Sequence, residues 1–255
     1  MMSLKDRVCL VTGGASGIGA GIVERLHADG ATAILCDIDR DKAADFARSI
    51  GLDVDSRVKA FDVADAAAFK RAADEVAAAF GRIDALVNNA GISDLTPLEE
   101  ISREKFDRIL GVNAYGVIAG CQAVAGAMKK QGYGKIVNIA STAGRNPMAG
   151  VSLYAASKFA IRGLTICHAK ELAEFGIRVN AVHPGFIKTP IYLSVADTIE
   201  EAHAAADAWA VQNGTLLGHA GTAADVAGAV AYLISPDGDY VTGQSITVDG
   251  GHVFA

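Results

Sequence analysis

The chain has 255 residues, of which 51% are hydrophobic and 20% are charged, so it can bury a large core and is typical of a globular protein. Its formal net charge is −6 and no basic run exceeds the two residues of Lys129-Lys130, which argues against nucleic acid or an anionic membrane as a partner. The four cysteines lack CxxC spacing and the N-terminal residues lack the apolar core of a signal peptide, so we expect reduced thiols and a cytoplasmic protein.

Strand-like and helix-like segments alternate along the whole chain, without a linker or repeat. Apolar runs of strand length lie at 7–12, 32–37, 57–61, 84–88, 135–140, 177–183 and 245–248. Segments with helical periodicity lie near 17–29, 41–50, 66–80, 101–129, 151–175 and 222–234. Because the strand runs are continuously apolar rather than alternating, both faces of each strand are expected to be buried. This pattern predicts an α/β fold, a single-domain doubly wound Rossmann sheet of about seven parallel strands flanked by helices.

Two segments depart from this rhythm. Residues 109–128 carry no charge and superficially fit a membrane span, but their polar Asn113 and Gln122 and their many glycines favour a buried or subunit-facing helix. Residues 190–214 are helical in character yet inserted before the last helix and strand. We interpret this insertion as a helical lid over a substrate.

A glycine-rich turn directly follows the first strand. Gly13, Gly17 and Gly19 let the backbone turn sharply and approach a pyrophosphate, whose charge would be met by free N–H groups at the start of the next helix. The spacing is not G-x-G-x-x-G, so a simple tight turn remains an alternative. The sequence therefore needs a second signal to indicate a nucleotide site.

Asp37 supplies that second signal at the end of the second strand, twenty residues after Gly17. A carboxylate at this place can accept both hydroxyl groups of an adenosine ribose and would repel a 2′-phosphate. Neither Ser16 nor Ile38 offers a cation to neutralise such a phosphate, so NAD is favoured over NADP. The alternative interpretation of Asp37 is a solvent-exposed strand cap.

A serine, a tyrosine and a lysine lie where one strand leads into a long helix. Ser141 follows the strand 135–140, and Tyr154 and Lys158 are four residues apart on one helix face. We expect the lysine ammonium to lower the pKa of the Tyr154 phenol and make it a general acid or base, and the serine hydroxyl to orient a carbonyl or alcohol oxygen. The pair alone proves little, since the same spacing arises by chance.

Together these features resemble the short-chain dehydrogenase/reductase family, from end to end of the chain. The motifs that carry the resemblance occur in order: Thr12-Gly-x-x-x-Gly-x-Gly19, Asn88-Asn89-Ala90-Gly91, Asn113, Ser141, Tyr154-x-x-x-Lys158 and Pro184-Gly185. The resemblance implies catalytic roles for Ser141, Tyr154 and Lys158. It also implies that Asn113 anchors a water molecule in a proton relay. Without the resemblance, Asn113 would be interpreted as a residue at a helix kink or as an amide that packs in the core.

With the resemblance, the set of residues expected to bind the cofactor NAD extends beyond the first two strands. It comprises Gly13, Ser16, Gly17, Ile18, Gly19, Asp37, Ile38, Asp62, Val63, Asn89, Ala90, Gly91, Tyr154, Lys158, Pro184, Gly185, Ile187 and Thr189. Proteins of this family are commonly tetramers, so we expect a homotetramer. The scattered histidines show no ligand spacing, and we expect no metal.

The predicted activity is hydride transfer between NAD(H) and a secondary alcohol or ketone. The substrate-binding residues expected are Ser141, Ala143, Met148, Tyr154, Phe186 and Tyr192, and the pocket is also expected to include Leu153, His183 and Trp209. This mostly apolar set favours a small neutral ketone, and part of the sequence resembles the branch of the family that reduces acetoin and diacetyl. The alternatives are a 3-oxoacyl reductase, a sugar-alcohol or hydroxysteroid dehydrogenase, and a protein that binds NAD without turnover.

Overall fold

One parallel sheet organises the protein, whose computed structural model describes residues 4–93, 95–190 and 196–253. Its strands are β1 (Val8–Thr12), β2 (Thr32–Asp37), β3 (Val58–Ala60), β4 (Ala85–Asn88), β5 (Gly134–Ile139), β6 (Ile177–Pro184) and β7 (Ser245–Val248). They lie in the order β3-β2-β1-β4-β5-β6-β7, and every neighbouring pair is parallel. The predicted α/β Rossmann fold is confirmed, and each predicted strand lies within one residue of its observed bounds.

Helices cover both faces of this sheet. They are α1 (Gly17–Ala28), α2 (Arg40–Ser49), α3 (Val54–Arg57), α4 (Ala66–Phe80), α5 (Arg103–Leu110), α6 (Gly116–Gln131), α7 (Ser152–Leu172), α8 (Ile199–Gln212) and α9 (Ala223–Ile234). Local sequence explains several of their starts, since Asp39 and Asp65 accept backbone N–H groups and Thr198 forms a capping box with Glu201. The short α3 was not predicted, because four residues are too few to show a helical period.

The two faces of the sheet carry separate cores. On one face, side chains such as Val23 of α1 and Val230 of α9 pack against the strands. On the other, Phe69 of α4, Val124 of α6 and Ile161 of α7 do the same. With both faces covered, the ends of the strands are where a ligand can reach the sheet. The strand order reverses between β1 and β4, so the crevice expected of such a sheet lies at their carboxyl ends.

The segment predicted as one helix over 101–129 contains an irregular turn. Helices α5 and α6 are joined by a π-helical turn, Gly111–Tyr115, which places the fully buried Asn113 in its middle. The continuous helix 103–131 is long and apolar enough to cross a membrane by length and composition alone, but half of its most apolar window is buried inside the protein. Half of this apolar window therefore contributes to the core.

Candidate active site

A cavity of about 750 Å³ lies at the carboxyl ends of β1, β2, β4, β5 and β6. All but one of the residues predicted to bind the cofactor line it, namely Gly13, Ser16, Gly17, Ile18, Asp37, Ile38, Asp62, Val63, Asn89, Ala90, Gly91, Tyr154, Lys158, Pro184, Gly185, Ile187 and Thr189. The exception, Gly19, is buried beneath the loop, where a Cβ would collide with the carbonyl oxygen of Gly13. Its lack of a side chain lets the loop close.

The glycine-rich loop leaves backbone groups available for an anion. Gly13 and Gly17 have φ of 62° and 54°, the left-handed region that favours glycine. Helix α1 begins at Gly17, and the side chain of its N-cap residue Ser16 makes no capping hydrogen bond. The first N–H groups of α1 are therefore not satisfied by a side-chain cap, and the positive end of the helix meets the cavity.

Asp37 fastens this loop to the end of β2. Its Oδ2 accepts a hydrogen bond from the backbone N–H of Ala15 at 3.0 Å, and its Oδ1 accepts one from Asp39 at 3.2 Å. Each carboxylate oxygen keeps a lone pair for a further donor such as a sugar hydroxyl. Asp37 is thus more than the solvent-exposed strand cap considered above, because it also holds the glycine-rich loop in shape.

Thr12 and Asn89 join the loops after β1 and β4. The hydroxyl of Thr12 accepts hydrogen bonds from the N–H groups of Asn89 and Ala90, both at 3.0 Å. The Asn89 amide in turn donates to the carbonyl oxygens of Thr12 at 2.9 Å and Gly13 at 3.2 Å. Because both amide N–H groups are used in this way, Asn89 shapes the cavity wall chiefly by fixing the glycine-rich loop.

Ser141 and Tyr154 meet across the cavity from that loop. Ser141 lies just beyond β5, where its Oγ accepts the N–H of Ala143 at 3.1 Å. Tyr154 lies in the first turn of α7, and hydrogen bonding from the Ser141 side chain acts to lower the pKa of its phenol. The strand end and the helix start therefore bring together two hydroxyl groups that are thirteen positions apart in the sequence.

Lys158 lies behind Tyr154, one helical turn further along α7. Its Nζ is 5.4 Å from the centroid of the Tyr154 ring and donates to the carbonyl oxygen of Ile139 at 3.0 Å. The side chain is only 4% exposed, and this burial lowers its pKa from 10.5 to about 8. The lysine therefore still carries its charge at neutral pH.

The expected lowering of the Tyr154 pKa is wrong for the protein without ligand. Burial raises that pKa above 10.0, and the hydrogen bond from Ser141 only partly opposes the effect. The sequence spacing correctly predicts that Lys158 neighbours the ring, but it does not reveal how deeply the phenol is surrounded by protein. Tyr154 is consequently protonated at neutral pH, which suits a group that donates a proton.

Asn113 does not reach the cavity but supports its wall. Its Oδ1 accepts the N–H of Ile92 at 2.9 Å, and its Nδ2 donates to the Ile92 carbonyl at 2.9 Å and to Ser157 Oγ at 3.0 Å. The Ser157 hydroxyl in turn donates a hydrogen bond to the carbonyl oxygen of Tyr154 at 2.6 Å. The π-helical turn is thereby linked to the loop after β4 and to the turn of α7 that carries the tyrosine.

His183 was expected to line the pocket but is fully buried in β6. Burial lowers its pKa to about 4, so the ring is neutral, and its Nδ1–H donates to the Ser141 carbonyl oxygen at 2.8 Å. Its Nε2 is buried without a partner among the residues described. Leu153 is also buried outside the cavity lining, because its position on α7 points into the protein. Neither residue can contact a substrate directly.

The other side of the cavity is formed largely by apolar side chains. The predicted Ala143, Met148, Phe186 and Trp209 line it, whereas Tyr192 lies outside the described residues. Further lining residues were not predicted: Phe61, Ile92, Ser93, Leu95, Arg108, Val112, Ile139, Ala140, Thr142, Asn146, Val151, Pro190 and His252. Most of these neighbour a predicted motif in the chain, which is the signal that could have found them. His252 follows the last strand and has no such signal.

Comparison with known proteins covers nearly the whole chain. A family model described as enoyl-(acyl carrier protein) reductase matches residues 13–252. A diacetyl reductase, (S)-acetoin forming, of Staphylococcus aureus is 40% identical over 98% of each chain. A 3-alpha-(or 20-beta)-hydroxysteroid dehydrogenase of Mycobacterium tuberculosis is 39% identical over 98% of this chain and 90% of its own. A cyclopentanol dehydrogenase of Comamonas sp. is 38% identical over 99% of each.

Proposed function

Because the chain belongs to the short-chain dehydrogenase/reductase family and is an oxidoreductase acting on CH–OH groups, we propose that it interconverts a small neutral ketone and the corresponding secondary alcohol with NAD(H). The observation that carries this proposal is that Ser141, Tyr154 and Lys158 line the same cavity, with the Lys158 ammonium 5.4 Å from the centroid of the phenol ring. Acetoin and diacetyl are the substrates we favour, in line with the name of one relative.

Each polar group has a proposed role in ketone reduction. Ser141 donates a hydrogen bond to the substrate oxygen, and Tyr154 donates its phenolic proton to that oxygen as negative charge develops there. Lys158 stabilises the phenolate that is left behind, since its ammonium lies beside the ring. Asn113 holds the wall and the Tyr154 turn through Ser157. In alcohol oxidation the same proton returns to the tyrosine.

The residues at the glycine-rich loop fit a dinucleotide. The uncapped start of α1 suits a pyrophosphate, and the Asp37 carboxylate suits ribose hydroxyls while repelling a 2′-phosphate. We therefore assign the cofactor as NAD rather than NADP. When bound, the nicotinamide supplies or accepts the hydride, and the protein orients the substrate carbon and oxygen for the transfer.

The substrate side supports a small neutral compound that is covered by a lid. Met148, Phe186 and Trp209 give this side an apolar surface, and Trp209 comes from α8, which lies within the insertion predicted as a lid. We propose that α8 covers the substrate, whereas residues 191–195 of the predicted lid lie outside the described residues. A single catalytic domain over 1–255, a cytoplasmic location and a homotetrameric assembly complete the proposal.

The first test is an NADH oxidation screen with Tyr154→Phe beside the wild type. The panel contains diacetyl, acetoin, cyclopentanone and a 3-oxoacyl thioester. We expect reduction of at least one neutral ketone, and a loss of about 10²–10⁴-fold in kcat for Tyr154→Phe with NADH affinity retained, because only the proton donor is removed. Tyr240→Phe is the matched control, since that tyrosine is fully exposed. Turnover by Tyr154→Phe within threefold of wild type would contradict the assignment.

A 3-oxoacyl thioester is the second candidate substrate. The matching family model carries the description of an enoyl-(acyl carrier protein) reductase, and Arg108, a cation that was not among the predicted pocket residues, lines the cavity. An arginine suits the phosphate of an acyl carrier better than it suits a neutral ketone. If acetoacetyl thioester is reduced and neutral ketones are not, and if Arg108→Ala raises KM for the thioester, this second function replaces the first.

A further inference from the structure

The C-terminal segment brings a histidine into the cavity by a tightly held turn. Asp249 accepts the N–H of Gly251 with Oδ1 at 3.0 Å and the N–H of Val253 with Oδ2 at 2.7 Å. Gly250 and Gly251 have φ of 62° and 81°, so both adopt the left-handed conformation that this turn requires. His252 lies inside the turn and lines the cavity together with Tyr154. Its position is thus fixed by backbone geometry.

The same turn is packed directly against the segment that follows β6. A Cβ added to Gly185 would lie 2.6 Å from the Cβ of Asp249, so the two backbones touch. The next residue, Phe186, packs its ring against the His252 ring with centroids 5.2 Å apart and a tilt of 59°. Because Phe186 also lines the cavity, the imidazole forms part of the apolar substrate side and not a separate surface site.

One hydrogen bond fixes which nitrogen atom of the His252 ring carries the hydrogen when the ring is neutral. Its Nδ1 lies 3.0 Å from the carbonyl oxygen of Asn213, which can only accept, so Nδ1 carries the hydrogen. In the neutral imidazole Nε2 is then an acceptor with a free lone pair. Nε2 has no hydrogen-bond partner within 4–93, 95–190 and 196–253, the part of the chain that the structure describes. The apolar side of the cavity therefore contains an oriented acceptor.

We infer that His252 is a specificity-determining residue whose Nε2 accepts a hydrogen bond from a substrate hydroxyl other than the one at the reacting carbon. This inference rests on the proposed function and narrows its substrate class to hydroxyketones, and to diols in the reverse direction. A hydroxyketone has the donor that Nε2 requires, whereas a simple ketone or a diketone has none. A site that hydrogen-bonds a substrate hydroxyl discriminates strongly against analogues that lack it, since its own polar group is then left unpaired.

Three variants separate the two nitrogen atoms of the ring. His252→Asn keeps a donor near Nδ1 for the Asn213 carbonyl and removes the acceptor at Nε2. His252→Gln places an amide oxygen or nitrogen near Nε2 and gives up the tether. His252→Phe keeps the ring contact with Phe186 and removes both nitrogen atoms.

The test measures kcat/KM with NADH for 3-hydroxybutan-2-one, 4-hydroxybutan-2-one, butan-2-one and diacetyl. We expect the wild type to prefer one hydroxyketone over butan-2-one, and His252→Asn and His252→Phe to reduce that preference about tenfold, the value of one buried hydrogen bond. His252→Gln should keep more of the preference than either. Thermal unfolding and NADH titration check that each variant folds and binds cofactor.

The possible failures are distinguishable. If the wild type reduces neutral ketones but the variants lower kcat/KM equally for hydroxyketones and butan-2-one, the role of His252 is wrong and the proposed function stands. If the wild type reduces cyclopentanone but none of these four ketones, the inference fails and the proposed function stands. If it reduces no neutral ketone at all, both fail. If His252→Phe does not fold, the preference for a hydroxyketone over butan-2-one is compared between His252→Asn and His252→Gln. A smaller preference in His252→Asn supports the role of Nε2, and equal preferences contradict it.

Discussion

His183 donates its Nδ1–H to the backbone carbonyl oxygen of Ser141 over 2.8 Å, and so connects β6 to the residue that we propose binds the substrate oxygen. His183→Leu removes this donor and should lower kcat about 2- to 10-fold, the equivalent of one neutral hydrogen bond. His183→Asn should recover most of the activity, because its amide nitrogen can occupy the place of Nδ1. Equal activities for the leucine and asparagine variants would show that the hydrogen bond does not position Ser141.

The same histidine should make the protein sensitive to acid. Its pKa falls from 6.5 to about 4 in the folded state, with Arg145 and Arg162 adding to the effect of burial. The unfolded chain therefore binds the proton first, and stability is lost as pH falls from 6.5 towards 4, by up to about 3 kcal/mol. His183→Asn should remove this loss in urea unfolding at pH 7 and pH 4. Since the pKa of His168 is also lowered by burial, the difference between the two proteins isolates His183.

Lys158 should cost stability in the absence of cofactor. Its pKa drops from 10.5 to about 8, so the folded state disfavours the charged form by up to about 3 kcal/mol at pH below 8, and this cost disappears as pH rises towards 10.5. Lys158→Met should therefore unfold at a higher Tm than wild type at pH 7, while its turnover falls. The gap should narrow by pH 10. Lys170→Met on the exposed face of α7 is the control. A difference in Tm between Lys158→Met and wild type that does not change with pH would contradict the proposed cost of the buried charge.

Asp37→Asn should weaken the preference for NADH over NADPH. The amide preserves the shape of the side chain but only one of the two oxygen acceptors, so the variant removes the charge together with one of the two hydrogen bonds from backbone N–H groups. Removing repulsion worth about 1–4 kcal/mol should change the ratio of kcat/KM for the two cofactors at least about fivefold. Asp41→Asn, on the exposed side of α2, is the control. An unchanged ratio for Asp37→Asn would place selectivity elsewhere, with Arg40 the next residue to test.

The exposed apolar surface of α5, the π-helical turn and α7 should be covered by another copy of the chain. Phe106, Tyr115, Phe159 and Ile166 are 43%, 45%, 43% and 40% exposed. Light scattering should give about four times the chain mass of 26.2 kDa, and Phe159→Glu should produce smaller species. Val211→Lys, at an exposed position of α8, should leave the mass unchanged. A stable wild-type monomer at micromolar concentration would overturn the tetramer.

The sheet could be predicted from sequence because its central strands must be apolar on both faces. Strands such as β1 and β5 are buried on both faces, which only a continuous apolar run can satisfy, and such runs are easy to detect. Residues that directly follow these strands could then be predicted to line the cavity, since the carboxyl ends of parallel strands meet at one edge of the sheet. This is why Asp37 and Ser141 were found without any knowledge of contacts.

Other features depend on distant contacts that no local pattern records. His252 reaches the cavity through a hydrogen bond to Asn213, which is 39 positions away, and through the turn around Asp249. The raised pKa of Tyr154 depends on how much protein surrounds the phenol and not on its spacing from Lys158. The π-helical turn shares the uncharged, glycine-containing composition of the first turns of α6, so only its hydrogen bonds distinguish it from that helix.

The π-helical turn restricts which insertions and deletions the chain can accept during evolution. Gly111–Tyr115 holds five residues where an α-helix closes a turn with about 3.6, so it contains the equivalent of an inserted residue. Deleting one residue there would restore a regular helix and rotate everything after it by about 100°. Val124 would leave the sheet and Asn113 would leave Ile92. We therefore expect descendants of this chain to vary the length of their loops freely and to keep this stretch at its present length.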